Sequence, residues 1–326
     1  MLELIRLLET SGQTVRSDFR RWFEKIPVAA NWTVASDYSV GNKNKKSDAF
    51  SFVIMPKHDT DENIASWISA FAPKDLKKTR TPSNDFLDYF CLPVAFSYNF
   101  LVEKDSNYLK AAITIDAMSS IAKYLRDVVV DWKSAEPRNE QYYSDLDRKL
   151  QLLEGELSSK NPSTALLRRI FLVASFGALV FHLIHEEKSP LSIRWISDRD
   201  AMFDRHDGLV FDLSWLLFQI MRRRSGGVID VLRPQLIFAS PLMDGITKHD
   251  ELVRLPDYLA GTLADYFSHL TMPKFIRKIN EGQLALPLVR MEDSQKSAKG
   301  VHLQDLADYL DARRAEGLRE LKQMYG

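Results

Sequence analysis

A single cysteine, Cys91, stands in 326 residues. That excludes an intramolecular disulfide and any cysteine-built metal cluster within one chain, and it suits a reducing compartment. Charge of one sign is not in excess either: 44 lysines and arginines meet 44 aspartates and glutamates. The whole-protein field therefore exerts no strong pull on a polyanion, and any contact with nucleic acid must be local. No glycine-rich phosphate loop and no serine-triad motif can be found, an absence that is permissive of metal-ion chemistry and no more. The longest apolar run, Ile170 to Ile184, falls short of the roughly 17 residues a spanning helix needs. With Arg168 and Arg169 before it, the run reads as a buried core helix, and no membrane partner is expected. The N-terminal residues Met-Leu-Glu-Leu-Ile-Arg lack the basic start and continuous apolar core of a secretory signal, so a cytoplasmic location is expected.

What is present is ordinary globular material, 45% hydrophobic and 27% charged, long enough for one large domain or two smaller ones. Apolar positions between Leu2 and Phe23 suggest one broken helix or two short ones. Two β-rich runs follow, Trp32 to Ala35 and Phe50 to Met55, with the turn-forming Gly41-Asn42-Lys43-Asn44 between them, as in a hairpin. The spacing predicts a helix over 61–71, a third strand over 93–102, helices through 108–160, and the apolar helix over about 163–187. A strand over 192–197 enters an acidic loop. A helix over 208–224, a strand over 235–239 and a helix over 252–267 complete the series. The polar, turn-rich stretch 287–300 reads as a linker, and Leu303, Leu306, Leu310, Leu318 and Leu321 mark an amphipathic C-terminal helix. That helix docks on its own body or, alternatively, on a protein partner or a second copy of the chain.

Three aspartates occupy element-to-loop junctions: Asp37 after the first strand, Asp198 after a later strand, and Asp257 in the first turn of a late helix. In open α/β folds ligands collect at strand ends. Carboxylates converging there could hold one or two divalent ions, and hard oxygen ligands favour magnesium or manganese. A metal pair so held generates hydroxide and stabilises both the attacking and leaving oxygens of a phosphodiester, which is nuclease chemistry. The plainer reading makes Asp37 a turn cap, Asp198 the cap of the next helix and Asp257 a first-turn acid placed for the helix dipole.

In order and context these motifs resemble the RNase H-like superfamily, and within it a bacterial family of unknown function. Members of that family open with a strand followed by Asp-Glu-Ser-Gly and close with a helix bearing an aspartate and then an alanine-glycine pair. The corresponding stretches here are Ser36-Asp37-Tyr38-Ser39-Val40-Gly41 and Leu255-Pro256-Asp257-Tyr258-Leu259-Ala260-Gly261. Between them Ile196-Ser197-Asp198-Arg199-Asp200 resembles the family's internal strand ending in aspartate. The resemblance covers about residues 30 to 270. It implies an α/β fold with an RNase H-like mixed sheet flanked by helices and a large helical insertion at about 105–187. The implied domain runs from 30 to 286, after an N-terminal helical segment 1–29 and before a linker and C-terminal helix, 287–326. It further implies catalytic Asp37, Asp198 and Asp257 with Mg2+ or Mn2+ on these three; a fourth carboxylate could come from Asp48, Asp200, Asp204 or Asp265, of which Asp200 is the closer candidate. Tyr38 departs from the pattern by replacing the glutamate, which leaves the site one carboxylate poorer.

Two functions follow as expectations. One is a divalent-metal-dependent nuclease or related phosphoryl-transfer enzyme acting on RNA or DNA. The other is a catalytically silent module that binds nucleic acid or a protein partner, for instance within a bacterial defence system. Lys74, Lys77, Lys78 and Arg80 form the densest basic stretch and are the nucleic-acid-binding candidates. The remaining polar features read structurally: His58 to Glu62 as helix capping, His182 and His185 as packed groups, and Arg222 to Arg224 as charge at a helix C-terminus. Trp67, Trp195 and Trp215 are assigned to the core.

Overall fold

The computed structural model describes residues 13–26, 30–45, 47–79, 85–86, 89, 94–103, 110–111, 113–224, 234–239, 249–266, 287–292 and 297–302. In chain order its elements are α1 (Gln13–Glu24), β1 (Asn31–Ser39), β2 (Ser47–Pro56), α2 (Asp61–Phe71), β3 (Phe96–Glu103), α3 (Ile115–Ala135), α4 (Glu140–Leu157), α5 (Thr164–Lys188), β4 (Ser192–Ser197), α6 (Ala201–Asp204), α7 (Leu209–Arg224), β5 (Gln235–Ala239), α8 (Arg254–Tyr266), β6 (Pro287–Glu292) and β7 (Ser297–His302). Short 3-10 turns occupy Leu76–Lys78, Pro137–Asn139 and Asp250–Val253. The chain divides into two compact units. A helical unit is built on Asp105–Lys248 with Ala30–Trp32, and a sheet unit on Thr33–Lys104 and His249–Gly326.

In the sheet unit the strands run in the order β1-β2-β3-β6-β7. β2 and β3 are antiparallel from Ser47↔Glu103 to Ile54↔Phe96. β3 and β6 are parallel, and β6 and β7 antiparallel, so the sheet is mixed. Phe50, Phe52, Val53, Ile54 and Met55 are all buried. Such unbroken burial, with Ser51 included, marks a strand covered on both faces, whereas a half-exposed strand alternates. Helix α8 lies along β2 and α1 along β6 and β7, so helices flank the sheet. The α1 ring Phe19 packs edge-on to Phe96 at 5.0 Å, which fixes α1 to the start of β3. Helix α2 begins where Thr60 accepts a hydrogen bond from Asn63 N (3.2 Å), with Asp61 and Glu62 in its first turn. Asp59 Oδ1 accepts from Thr60 N and Asn63 Nδ2, so this acidic cluster does cap a helix. Ile64, Ile68 and Phe71 face inward.

Three expectations need revision here. Trp67 is 52% exposed, because it stands off the stripe set by Ile64, Ile68 and Phe71 rather than on it. The segment read as a linker, 287–300, holds β6 and most of β7. Turn residues between two short strands had the composition of a tether. β1 is also longer than its apolar run and carries Asp37 inside the strand rather than after it.

The helical unit rests on two helix pairs. In α3 the buried positions are Met118, Ala122, Leu125, Val129 and Trp132; in α4 they are Tyr143, Leu146, Leu150, Leu153 and Leu157. Both series step by three and four, the spacing of a coiled-coil seam, and the two helices pack together across a short connection. Helix α5 is buried without interruption from Ile170 to Ile184, as a core helix should be. By length and composition it is apolar enough to cross a membrane, yet its most apolar window is almost wholly buried in the protein. It packs on α7, where Ser214 Oγ donates to the Ala174 carbonyl (3.1 Å). Gly177 permits this approach, since a Cβ there would lie 3.1 Å from Ser214 Oγ and 3.3 Å from the Trp195 ring. Trp195 is fully buried and ringed by Phe181, Phe203 and Phe211 at 5.1 to 5.7 Å. Trp215 is buried against Trp132, so both of these tryptophans are core residues. β4 and β5 pair in parallel. The chain at Ala30 joins this unit by accepting hydrogen bonds from Leu191 N and Ser192 N. The helical block therefore extends well past residue 187, through β4, α7 and β5.

Helix α4 also holds the turn that leads into α7. His206, Asp207 and Gly208 follow one another in the left-handed region (φ 51°, 56° and 77°), a conformation costly for the two residues that carry a Cβ. Ion pairs from Arg148 to Asp207 (2.9 Å) and from Arg205 to Glu156 (2.8 Å), and a hydrogen bond between the His206 ring and Glu156 (2.8 Å), hold them there. Lys149 in turn meets the buried Asp212 of α7 at 2.9 Å.

Two outcomes are expected. Gly177→Ala should destabilise the fold by about 1–3 kcal/mol through overpacking, read by urea denaturation. Burial favours the neutral acid of Glu156, but Arg205 and then His206 outweigh it and hold the carboxyl below its usual range. A depressed folded value gives stability that is present above the ordinary carboxylate value and lost as pH falls through the folded one. The melting-temperature gap between wild type and Glu156→Gln should therefore be full at neutral pH and close progressively below about pH 4.3.

Candidate functional site

The sheet unit brings Asp37 and Asp257 together. The two carboxyl groups interact directly, and Asp37 lowers the proton affinity of Asp257. Both are half-buried. Asp257 is the fourth residue of α8, where the helix dipole favours an acid. Burial pushes its carboxyl above the usual range, and the charge of Asp75 adds to this. The Leu76 N–H, Asp37 and the charge of Lys77 act in the opposite sense. Asp37 Oδ1 also accepts from Tyr38 N (2.6 Å). Tyr38, standing where the resembled family has a glutamate, shares a hydrogen bond with Ser36 Oγ (2.6 Å) and packs on Phe50 and Phe52. It supplies no carboxylate.

Asp198 and Asp200 belong to the helical unit. Asp198 follows β4 directly, and its Oδ1 accepts from Arg199 N (2.8 Å). Asp200 is the residue that caps the next helix, accepting from Met202 N at 2.9 Å, a duty the sequence assigned to its neighbour Asp198. Among the described residues no group of three or more Asp, Glu, His or Cys side chains is placed to hold a metal ion.

What the site does hold is the basic segment. Leu76 N donates to Asp257 Oδ2 at 2.7 Å. Tyr258 OH donates to the Lys74 carbonyl (2.8 Å) and shares a hydrogen bond with Thr79 Oγ1 (2.7 Å). One turn earlier, Arg254 Nη1 donates to the Ala72 carbonyl (3.2 Å). One turn later, the Leu76 side chain lies over Gly261, in the space a Cβ would fill. Thus Arg254, Asp257, Tyr258 and Gly261, spaced along one face of α8, grip residues 72–79 and leave Lys74, Lys77 and Lys78 exposed. Lys45 Nζ, reaching Ser39 Oγ (3.0 Å) and the Gly261 carbonyl (3.4 Å), ties the end of β1 to the same helix. Arg80, the fourth basic candidate, and the amphipathic C-terminal segment lie outside the described residues. Sequence reasoning missed Tyr258, Gly261 and Leu76 as working parts. Their signal was the alanine-glycine pair one turn after Asp257 and a lone leucine among lysines.

Comparison with known proteins gives one result: residues 259–317 match the family described as pyocin activator protein PrtN. The match begins inside α8, includes Gly261, and takes in β6 and β7. No curated protein and no solved structure matches the chain.

Asp257→Ala should leave the Leu76 N–H without its acceptor, at a cost of about 1–3 kcal/mol. Gly261→Ala should displace Leu76 instead. Hydrogen exchange at Leu76, Lys77 and Lys78 should accelerate in both variants, with β2 unchanged.

Proposed function

We propose that this chain is an RNase H-like regulatory module that binds nucleic acid through the lysines of its α8-held segment, with Asp37 and Asp257 serving to fix that segment. The carrying observation is that four residues of one helix hold residues 72–79 while their lysine side chains remain in solvent. Exposed cations on an ordered backbone lose little entropy on meeting a phosphate chain, and each contact releases counterions. The match to an activator family supports a regulatory setting, and Tyr38 in place of a carboxylate supports binding without cleavage. With the net charge at zero, the local segment has to supply the attraction. Replacing Lys74, Lys77 and Lys78 together by alanine should weaken binding and reduce the slope of log affinity against log salt by up to about three phosphate contacts. An unchanged slope in a fluorescence-anisotropy titration would remove the segment from the interface.

The contact between Asp37 and Asp257 favours one second reading, the metal-dependent nuclease with Mg2+ or Mn2+. Under it, manganese should raise the melting temperature of the wild type and not of Asp257→Asn, and oligonucleotide should be cleaved only with the ion present. Binding without cleavage in manganese supports the first reading.

A further inference from the structure

Helix α5 is apolar throughout its buried length, yet its last turns bring two histidines to α7. His182 is 5% exposed, Gln219 fully buried and Arg222 6% exposed. His182 Nε2 lies 3.2 Å from Glu186 Oε1. On α7, Arg222 Nη1 donates to Gln219 Oε1 (3.2 Å), and its guanidinium sits 5.6 Å from the centre of the Phe218 ring. The His185 ring meets the same phenylalanine edge-on at 5.9 Å. Phe218 therefore touches a permanent cation and a titratable one. His185 Nδ1 and Gln219 Nε2 are buried with no hydrogen-bond partner.

A charged imidazole carries an N–H on both nitrogens. Charging His185 would therefore set a buried N–H at Nδ1 with no acceptor, and a second positive charge on the ring that shares Phe218 with Arg222. The charged groups facing His185 are Arg222 on α7 and His182 and Glu186 on its own helix. Glu186 alone favours the cation, and it is exposed.

We propose that the α5–α7 contact is an acid-sensitive joint, closed while His185 is neutral and loosened when His185 takes up a proton next to Arg222. The electrostatics agree: burial first, then Arg222 and His182, hold His185 below the ordinary histidine value, with Glu186 opposing. A folded value below the unfolded one means that the native state binds fewer protons. The stabilisation is then intact above about pH 6.5 and is lost as pH falls from there towards the lowered value. This joint is independent of the nucleic-acid reading, since it involves none of residues 72–79.

The test is hydrogen exchange on the whole chain, corrected for intrinsic rates, at about pH 7.5 and about pH 5.5, on either side of the ordinary histidine value. Peptides from the ends of α5 and α7 should exchange faster at the lower pH, by up to about tenfold, because that pH lies about one unit below the ordinary histidine value. His185→Gln, which cannot charge, should remove that acceleration. An equal acceleration in wild type and variant would overturn the proposal. So would an NMR titration of 13C-labelled histidine in the unmodified chain that placed His185 at or above its ordinary value. The titration decides the matter even if the variant does not fold.

Discussion

The hydrogen bond from Leu76 N to Asp257 anchors the basic segment, whose later N–H groups, Lys78 and Thr79, are met within it by the Asp75 and Leu76 carbonyls. The 3-10 turn Leu76–Lys78 opens at Asp75, whose side chain makes no cap and turns instead to Lys78 Nζ (3.1 Å). The acceptor that a local cap would have supplied comes from α8, across 181 positions of sequence. The Lys74 carbonyl likewise finds its donor in Tyr258. Contacts from α8 therefore add to the turn's own hydrogen bonds in fixing its shape. The order of the lysines is thus partly a tertiary property.

The same contact explains how an acidic pair and a basic segment share one place. Desolvation raises the proton affinity of Asp257, while the Leu76 N–H, Asp37 and the charge of Lys77 oppose this. A fully ionised pair would repel itself and would compete with phosphate for the lysines. Under either functional reading, what reaches Asp257, proton or metal ion, sets how strongly it neutralises the segment it holds.

Much of this was legible in the sequence. Periodicity located α2, α5, α7 and β5 to within a residue or two, because each has a clean apolar pattern and a turn residue or cap at its border. Asp37 and Asp257 stood out in the sequence as acids near element borders, although Asp37 lies within β1 rather than after it. What escaped was of two kinds. Trp67 was misplaced because residue type suggests burial, whereas exposure depends on which side of α2 the residue falls. The strands β6 and β7 were missed because their pairing partners are remote: β6 takes its register from β3, with Asn99 opposite Leu288, and nothing local in 287–300 announces that. The division of labour between Asp198 and Asp200 turned on two positions, and the cap geometry of α6 decides it.

That remote pairing bears on the segment that resembles an activator protein. A match confined to residues 259–317 suggests an appended module, and the polar composition of 287–300 suggests a tether to it. The strand pairing argues otherwise. β6 completes the parallel edge of β3, and β7 pairs with β6 in turn. Upstream, the match opens in α8, whose Gly261 seats Leu76 of the basic segment. Removing the matched residues would leave β3 without its parallel neighbour and Leu76 without its seat. The activator-like segment is therefore a structural part of the sheet unit, and the lysine-bearing segment depends on the first turns of that same stretch for its shape.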